Sequence, residues 1–209
     1  MEAQPTVFII DDDISVRQGL SDLLRSVGLG AQTFESTQAF ANAKRPDVVG
    51  CIVLDVRLPG RSGLEFQQAL SALDIRMPVI FISGHGSIPI SVRAMKSGAM
   101  EFLTKPLREQ EFLDSVQAAI ERDRSRRRED VITTELRKRY DSLTSREREI
   151  MNLVVAGQLN KQIGFQVGLS AMTVKVHRSH LMHKMQAKSL IDLVRMADKL
   201  GISGPKPKE

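Results

Sequence analysis

CIVLDVRLPG, residues 51–60, runs four apolar residues, Cys51 to Leu54, into one aspartate, Asp55, and then turns at Pro59-Gly60. A short apolar run without alternation reads as a strand covered on both faces, the habit of parallel sheets. Such sheets build their sites at the carboxyl ends of their strands. The lone carboxylate of Asp55 therefore stands where chemistry is placed.

Outward from this strand the first half of the chain repeats one pattern. TVFII (6–10) is a second fully apolar run and is followed by acids. AQTF (31–34) is a weaker strand, and PVIFIS (78–83) and EFLT (101–104) complete five. Between them lie helical spacings: Val16, Leu20, Leu24 and Val27 before a stop at Gly28; a helix from Ser36; Ser62–Leu73 with Leu64, Leu70 and Leu73 inward; a helix capped by Ser87 and ended by Gly98; and a last one with Phe112, Val116 and Ile120 on one face. Five βα units predict a doubly wound, flavodoxin-like parallel sheet. With strand order 2-1-3-4-5, the ends of strands 1, 3, 4 and 5 share one pocket. That pocket collects Asp11, Asp12 and Asp13, Asp55, Ser83 and Lys105.

Several carboxylates in one cleft repel unless a cation compensates them, and magnesium commonly uses one or two carboxylates with water and phosphate oxygens. A hydroxyl and an ammonium beside them suit a phosphoryl group, toward which a carboxylate can act as nucleophile. Asp13 reads as a helix cap. Cys51, inside the strand, reads as structural. As the one cysteine it excludes an intrachain disulfide and points to a reducing, cytoplasmic location. The N-terminus reads as neither a signal peptide nor a membrane span.

Charge divides the chain. Residues 1–120 hold 11 Lys+Arg against 14 Asp+Glu, and residues 121–209 hold 19 against 11. A basic half is a candidate nucleic-acid partner. Its opening stretch, ERDRSRRREDVITTELRKR (121–139), predicts a solvated helical connector with a thin stripe of Ile132, Leu136, Tyr140 and Leu143. From 141 only helix signals remain. Thr144 and Glu147 form a capping box before Ile150, Leu153 and Val154. Asn160–Val167 is a short helix, Gly168-Leu169 a turn, Ser170 the cap of a third helix to Met185, and Ser189 the cap of a fourth. This is a helix-turn-helix, whose second helix enters the major groove. At ~100° per residue, Val174, Leu181 and Met185 face inward. Met172, Val176, Ser179 and His183 face out, with Lys175 and His180 at the edges. His177, His180 and His183 are not expected to hold a metal, because no Cys or acid joins them. The domains read as 1–120, a linker over 121–140, an all-α four-helix domain over 141–200 and a flexible tail over 201–209.

These residues carry a resemblance. IIDDD, LDVRLPG.SG, FISGHG and FLTKP, in this order and spacing, resemble the receiver domain of two-component response regulators, and GHGSIPISVRAMKSGAMEFLTKP is most similar to the FixJ-like subgroup. LTSRERE, NKQI, GLS..TVKVHR and M.KM resemble the LuxR-type DNA-binding domain over 141–200. The resemblance implies that Asp55 accepts a phosphoryl group from a sensor histidine kinase. Asp11, Asp12, Asp55 and the main-chain carbonyl of Arg57 would hold Mg²⁺ or another divalent cation. Ser83 and Lys105 would bind phosphate oxygens, Phe102 would switch with Ser83, and Lys105-Pro106 would be cis. His85 reads as an ordinary loop residue of such a segment. The resemblance also implies promoter DNA and RNA polymerase as partners, a homodimer on phosphorylation, and no membrane. Lys175, Val176 and Ser179 would face bases, and Lys161, Thr173 and Arg178 would face phosphates.

Three departures stand out. Leu107 replaces a frequent Phe, Gly60 a frequent polar residue near the pocket, and Gly164-Phe165 a usual Ala and polar residue. Two further readings remain at this point. A haloacid-dehalogenase-like phosphatase shares the Asp, Ser/Thr, Lys and Mg²⁺ set, but position 57 is Arg where that class carries its second Asp. A DNA-binding scaffold indifferent to phosphorylation would leave the pocket without purpose.

Overall fold

A computed structural model of the 209-residue chain describes residues 3–60, 62–84 and 88–202. The cap expected at Ser87, the loop histidine His85 and most of the tail, 203–209, lie outside the described residues. Two compact units divide the chain between Arg127 and Arg128.

The first unit is built on five parallel strands in the order β2-β1-β3-β4-β5. They are β1 (Thr6–Ile10), β2 (Gly30–Phe34), β3 (Gly50–Asp55), β4 (Val79–Ser83) and β5 (Glu101–Thr104). Every residue of β1, β3 and β4 is buried, which explains their unbroken apolar reading. β2 and β5 are the sheet edges and keep partly exposed residues. Helices α1 (Ile14–Ser26), α2 (Thr37–Asn42), α3 (Gly63–Leu70), α4 (Ile88–Lys96) and the start of α5 (Glu109–Asp141) separate and flank the strands. Side chains on the two faces of the sheet form two separate cores. One gathers Phe8, Phe40, Phe66 and Phe81. The other gathers Val7, Val53, Ile80 and Phe112.

Asp13 caps α1 through the Ser15 N–H, and Ser36 caps α2 through the Ala39 N–H. Two helical placements, the inward Leu73 and the in-helix Val27, are corrected. α3 ends at Leu70 and tightens into a 3₁₀ turn over Ser71–Leu73, which leaves Leu73 exposed. Val27 lies just past the end of α1 as its C-cap and is likewise exposed.

The connector expected to be solvated all round is corrected too. α5 runs on through it, and Asp123 within it is completely buried. One Asp123 carboxylate oxygen accepts the Gly50 N–H at the start of β3 (3.1 Å) and the Arg127 Nε (2.8 Å); the other accepts Arg126 (2.6 Å). Arg127 also reaches Asp47 (2.6 Å) and the Val48 carbonyl (2.8 Å). The receiving surface lies more than seventy residues back, so local composition could not reveal it. Burial, and then the Asp123 charge, pushes the neighbouring Cys51 thiol up to about 12.

In the second unit the later turns of α5 place Leu136 in the core, with Tyr140 partly buried against it. Ile132 of the same stripe is exposed. The remaining helices are α6 (Ser145–Val155), α7 (Asn160–Val167), α8 (Ala171–Met185) and α9 (Leu190–Lys199). Their core includes Leu143, Ile150, Met151, Val154, Ile163, Val174, Leu181, Met185 and Leu193. The capping box of Thr144 and Glu147 opens α6, and Ser170 and Ser189 cap α8 and α9.

Gly164 explains its own departure. A Cβ there would stand 2.5 Å from the Leu169 carbonyl oxygen, so the turn between α7 and α8 packs directly on this backbone. The helix tolerates the propensity loss of ~1 kcal/mol because a side chain would force the two helices apart.

Candidate functional site

The carboxyl edge of the first sheet brings together residues from three strand ends. Asp11 follows β1, Asp55 closes β3, and Lys105 follows β5. The Lys105 ammonium donates to Asp11 Oδ2 and to Asp55 Oδ2, each at 2.6 Å. The other oxygens are held by the chain itself. Asp11 Oδ1 accepts the Asp13 N–H (2.9 Å), and Asp55 Oδ1 accepts the Arg57 N–H (2.8 Å). Asp12 is exposed, yet a carboxylate oxygen from each of Asp11, Asp12 and Asp55 lies within 4.8 Å of the others. Asp11 and Asp55 are buried, and Lys105 is partly so.

The electrostatics follow from this packing. Burial raises the Asp11 carboxyl above its ordinary range, and the Lys105 hydrogen bond and charge offset that only in part. For Lys105 burial pulls the other way, but the hydrogen bonds and charges of Asp11 and Asp55 outweigh it, and its pKa lies above the lysine value. The ammonium stays charged at neutral pH and ties two carboxylates that would otherwise repel.

Ser83 ends β4, almost wholly buried, and its carbonyl accepts the Lys105 N–H at 2.8 Å. Phe102 on β5 is half-buried, its ring 6.4 Å from that of Phe81. The Lys105–Pro106 bond is cis. Gly63 at the start of α3 lies directly under the Asp55 backbone, where a Cβ would come within 2.3 Å of the Asp55 carbonyl oxygen. Arg17 on α1 belongs to no sequence motif, but its Nη1 donates to the Asp11 carbonyl at 2.6 Å. A cation early in a helix runs against the dipole preference, and that was its one available signal.

The second unit carries its own candidate interface. On α8, Val174, Leu181 and Met185 are buried, whereas Met172, Lys175, Val176, Ser179, His180 and His183 are exposed. Lys161 on α7 is exposed as well. The Thr173 hydroxyl pairs with that of Ser170 at 2.8 Å. Arg178 is half-buried, and its Nη1 donates to Asn160 Oδ1 at 2.6 Å, linking the two helices. Beneath them Lys184 reaches the buried Glu147 at 2.7 Å. Burial would raise the Glu147 pKa, but the Lys184 and Thr144 bonds bring it below the glutamate value.

A doubly wound unit with an acidic, lysine-bridged pocket at its carboxyl edge, joined in one chain to a helix-turn-helix unit, is the organisation of a regulator of transcription. The model of the response regulator receiver domain matches residues 7–117, and that of the LuxR family of bacterial regulatory proteins matches residues 141–197. Nodulation protein W of Bradyrhizobium diazoefficiens is 51% identical over 94% of this chain and 87% of its own length. Transcriptional regulatory protein FixJ of Azorhizobium caulinodans is 43% identical over 94% of this chain and 93% of its own. The solved structure of the response regulator StyR, 45% identical, superposes with a TM-score of 0.81 over 94% of this chain and all of that one. The chain belongs to the two-component response regulators that join a receiver domain to a LuxR-type DNA-binding domain.

It is a transcriptional regulator and not an enzyme, which sets the phosphatase reading aside. A receiver joined to such a domain implies a kinase partner and promoter DNA. Among the described residues no helix is long and apolar enough to cross a membrane.

Proposed function

We propose that Asp55 accepts a phosphoryl group from the phosphohistidine of a sensor kinase, and that its covalent state controls dimerisation and transcription. The observation that carries this reading is the Lys105 ammonium spanning Asp11 and Asp55 at 2.6 Å each, with Asp12 beside them. An Asp55 oxygen forms the new O–P bond as the P–N bond of the kinase breaks, and the electron pair returns to the imidazole. Lys105 and Ser83 bind oxygens of the transferred group.

The donor set fits a hard divalent cation: three carboxylates within 4.8 Å of one another, two buried and one open to solvent. Asp11, Asp12, Asp55 and the main-chain carbonyl of Arg57 would hold Mg²⁺. The bound ion would supply positive charge to the phosphoryl oxygens. Lys105 then gives up its grip on Asp55 to a phosphate oxygen, and Ser83 and Phe102 follow on β4 and β5.

Dimerisation engages the face of α4, where Ile88 is 81% exposed and Val92 and Met95 are exposed as well. α9, with Leu190 and Ile191 exposed, pairs the DNA-binding domains. Lys175, Val176 and Ser179 read base edges, and Lys161 and Thr173 contact phosphates. Arg178 faces phosphates from its seat on Asn160. The dimer works in the cytoplasm and activates transcription by contacting RNA polymerase.

Incubation with acetyl phosphate and Mg²⁺ tests the central claim. Wild type is expected to gain one alkali-labile phosphoryl group and to bind promoter DNA more tightly. An equal label on Asp55→Ala sinks the phosphoacceptor assignment, and equal DNA affinity with and without label supports the phosphorylation-independent scaffold instead.

A further inference from the structure

The structure assigns Arg17 as a positioning residue of the acidic pocket: its guanidinium holds the Asp11 carbonyl and thereby sets how tightly the three carboxylates take a divalent cation. This rests on the metal reading given under Proposed function.

The loop after β1 presents two carboxylates from consecutive residues in different settings, Asp11 buried and Asp12 exposed. Its backbone is held from three sides. The Asp11 N–H donates to the Phe34 carbonyl on β2 (3.1 Å), the Asp13 N–H donates to Asp11 Oδ1 (2.9 Å), and Asp13 Oδ1 accepts the Ser15 N–H (2.8 Å). The fourth hold is Arg17 Nη1 on the Asp11 carbonyl, at 2.6 Å. That carbonyl belongs to the peptide unit joining Asp11 to Asp12. Turning this peptide moves the Asp12 carboxylate relative to Asp11 and Asp55. Arg17 itself is anchored, because its backbone N–H is bonded to the Asp13 carbonyl (3.1 Å) within α1. The guanidinium thus ties the peptide between two pocket carboxylates to the rigid opening of a helix.

Arg17 is also a cation near a cation site, so two physical effects oppose each other. As a charge it repels an incoming divalent ion, and its removal would tighten binding. As an anchor it preorganises the carboxylates, and its removal loosens binding. Here the contact is to a main-chain carbonyl, the shortest hold on the loop's backbone, while no hydrogen bond from Arg17 to a pocket carboxylate is present among the described residues. Positioning is therefore the stronger effect. The two effects predict opposite signs, which makes the inference testable without any turnover.

The experiment is isothermal titration of the full chain with MgCl₂, for wild type, Arg17→Met and Arg17→Lys. Melting temperatures measured in EDTA establish that each variant is folded. Arg17→Met is expected to bind Mg²⁺ roughly tenfold more weakly than wild type, the low end for loss of an outer partner. Arg17→Lys keeps the charge but not the forked donor, and is expected to fall between the two. Should Arg17→Met not fold, Arg17→Lys decides alone: weaker Mg²⁺ binding supports the anchor, and unchanged binding overturns it. Equal or tighter binding by a folded Arg17→Met overturns the inference while leaving the metal reading intact. Absence of Mg²⁺ binding by wild type overturns both.

Discussion

Replacing Asp123 by alanine removes one buried carboxylate from a segment whose composition reads as solvent-exposed. Its energetic effect can be built from the contacts. The Gly50 N–H loses its acceptor in a buried setting, a cost of about 1–3 kcal/mol. Arg126 and Arg127 lose their shared partner, but their side chains remain 30% and 25% exposed and can turn to water, so each adds only about 0–1 kcal/mol. The expected loss is about 1–5 kcal/mol, or a fall of about 10 °C in the melting temperature of the first unit at the middle of that range. Arg127→Ala is expected to cost less, because Asp123 keeps Gly50 and Arg126. Asp47→Ala costs least, its side chain being 91% exposed. Urea unfolding followed by far-UV circular dichroism gives the size of each loss. Hydrogen exchange on peptides spanning 46–55 and 109–127 locates it. If Asp123→Ala loses less than ~0.5 kcal/mol, or if Asp47→Ala equals it, the Asp123 contacts do not anchor α5 to the sheet and the reasoning fails.

Gly164→Ala gains ~1 kcal/mol of helix propensity but drives a Cβ to 2.5 Å from the Leu169 carbonyl; net destabilisation of about 1–3 kcal/mol is expected, read as faster hydrogen exchange in α7 and a lower unfolding midpoint. The folded Glu147 carboxyl lies below its ordinary value, so its contribution is full above the unfolded pKa of ~4.3 and is lost as pH falls through the lower folded value. Accordingly, the stability gap between wild type and Lys184→Met should be constant near neutrality and close in acid, as measured by urea midpoints across pH. Cys51, buried with its thiol near 12, should resist iodoacetamide at pH 8 in the folded chain and react once urea unfolds it, which mass spectrometry of the modified peptide detects.

Much of this protein could be read along the chain because its signals are local. Apolar runs bounded by polar strand ends specify β1, β3 and β4, and Ser, Thr and Asp caps mark helix starts one to three residues away. The right-handed crossover between parallel strands then leaves few topologies, and the order β2-β1-β3-β4-β5 brings Asp11, Asp55 and Lys105 to one edge. Residue type and order along the chain were enough for that, together with the buried and exposed faces of α8.

What the chain alone left undecided is where charge ends up. ERDRSRRRED looks solvated because its own residues cannot bury one another, yet Asp123 is buried by a Gly50 N–H and two arginines presented against β3. Nothing along the chain pairs Arg17 with the Asp11 carbonyl or Arg178 with Asn160, yet the fold brings each pair to 2.6 Å. Gly164 looks like a defect until the Leu169 carbonyl packs on it. In each case the deciding partner lies on another element. Desolvation and hydrogen bonding are short-ranged in space but not in sequence, so periodicity and propensity specify the elements while tertiary contacts decide which polar groups can be buried.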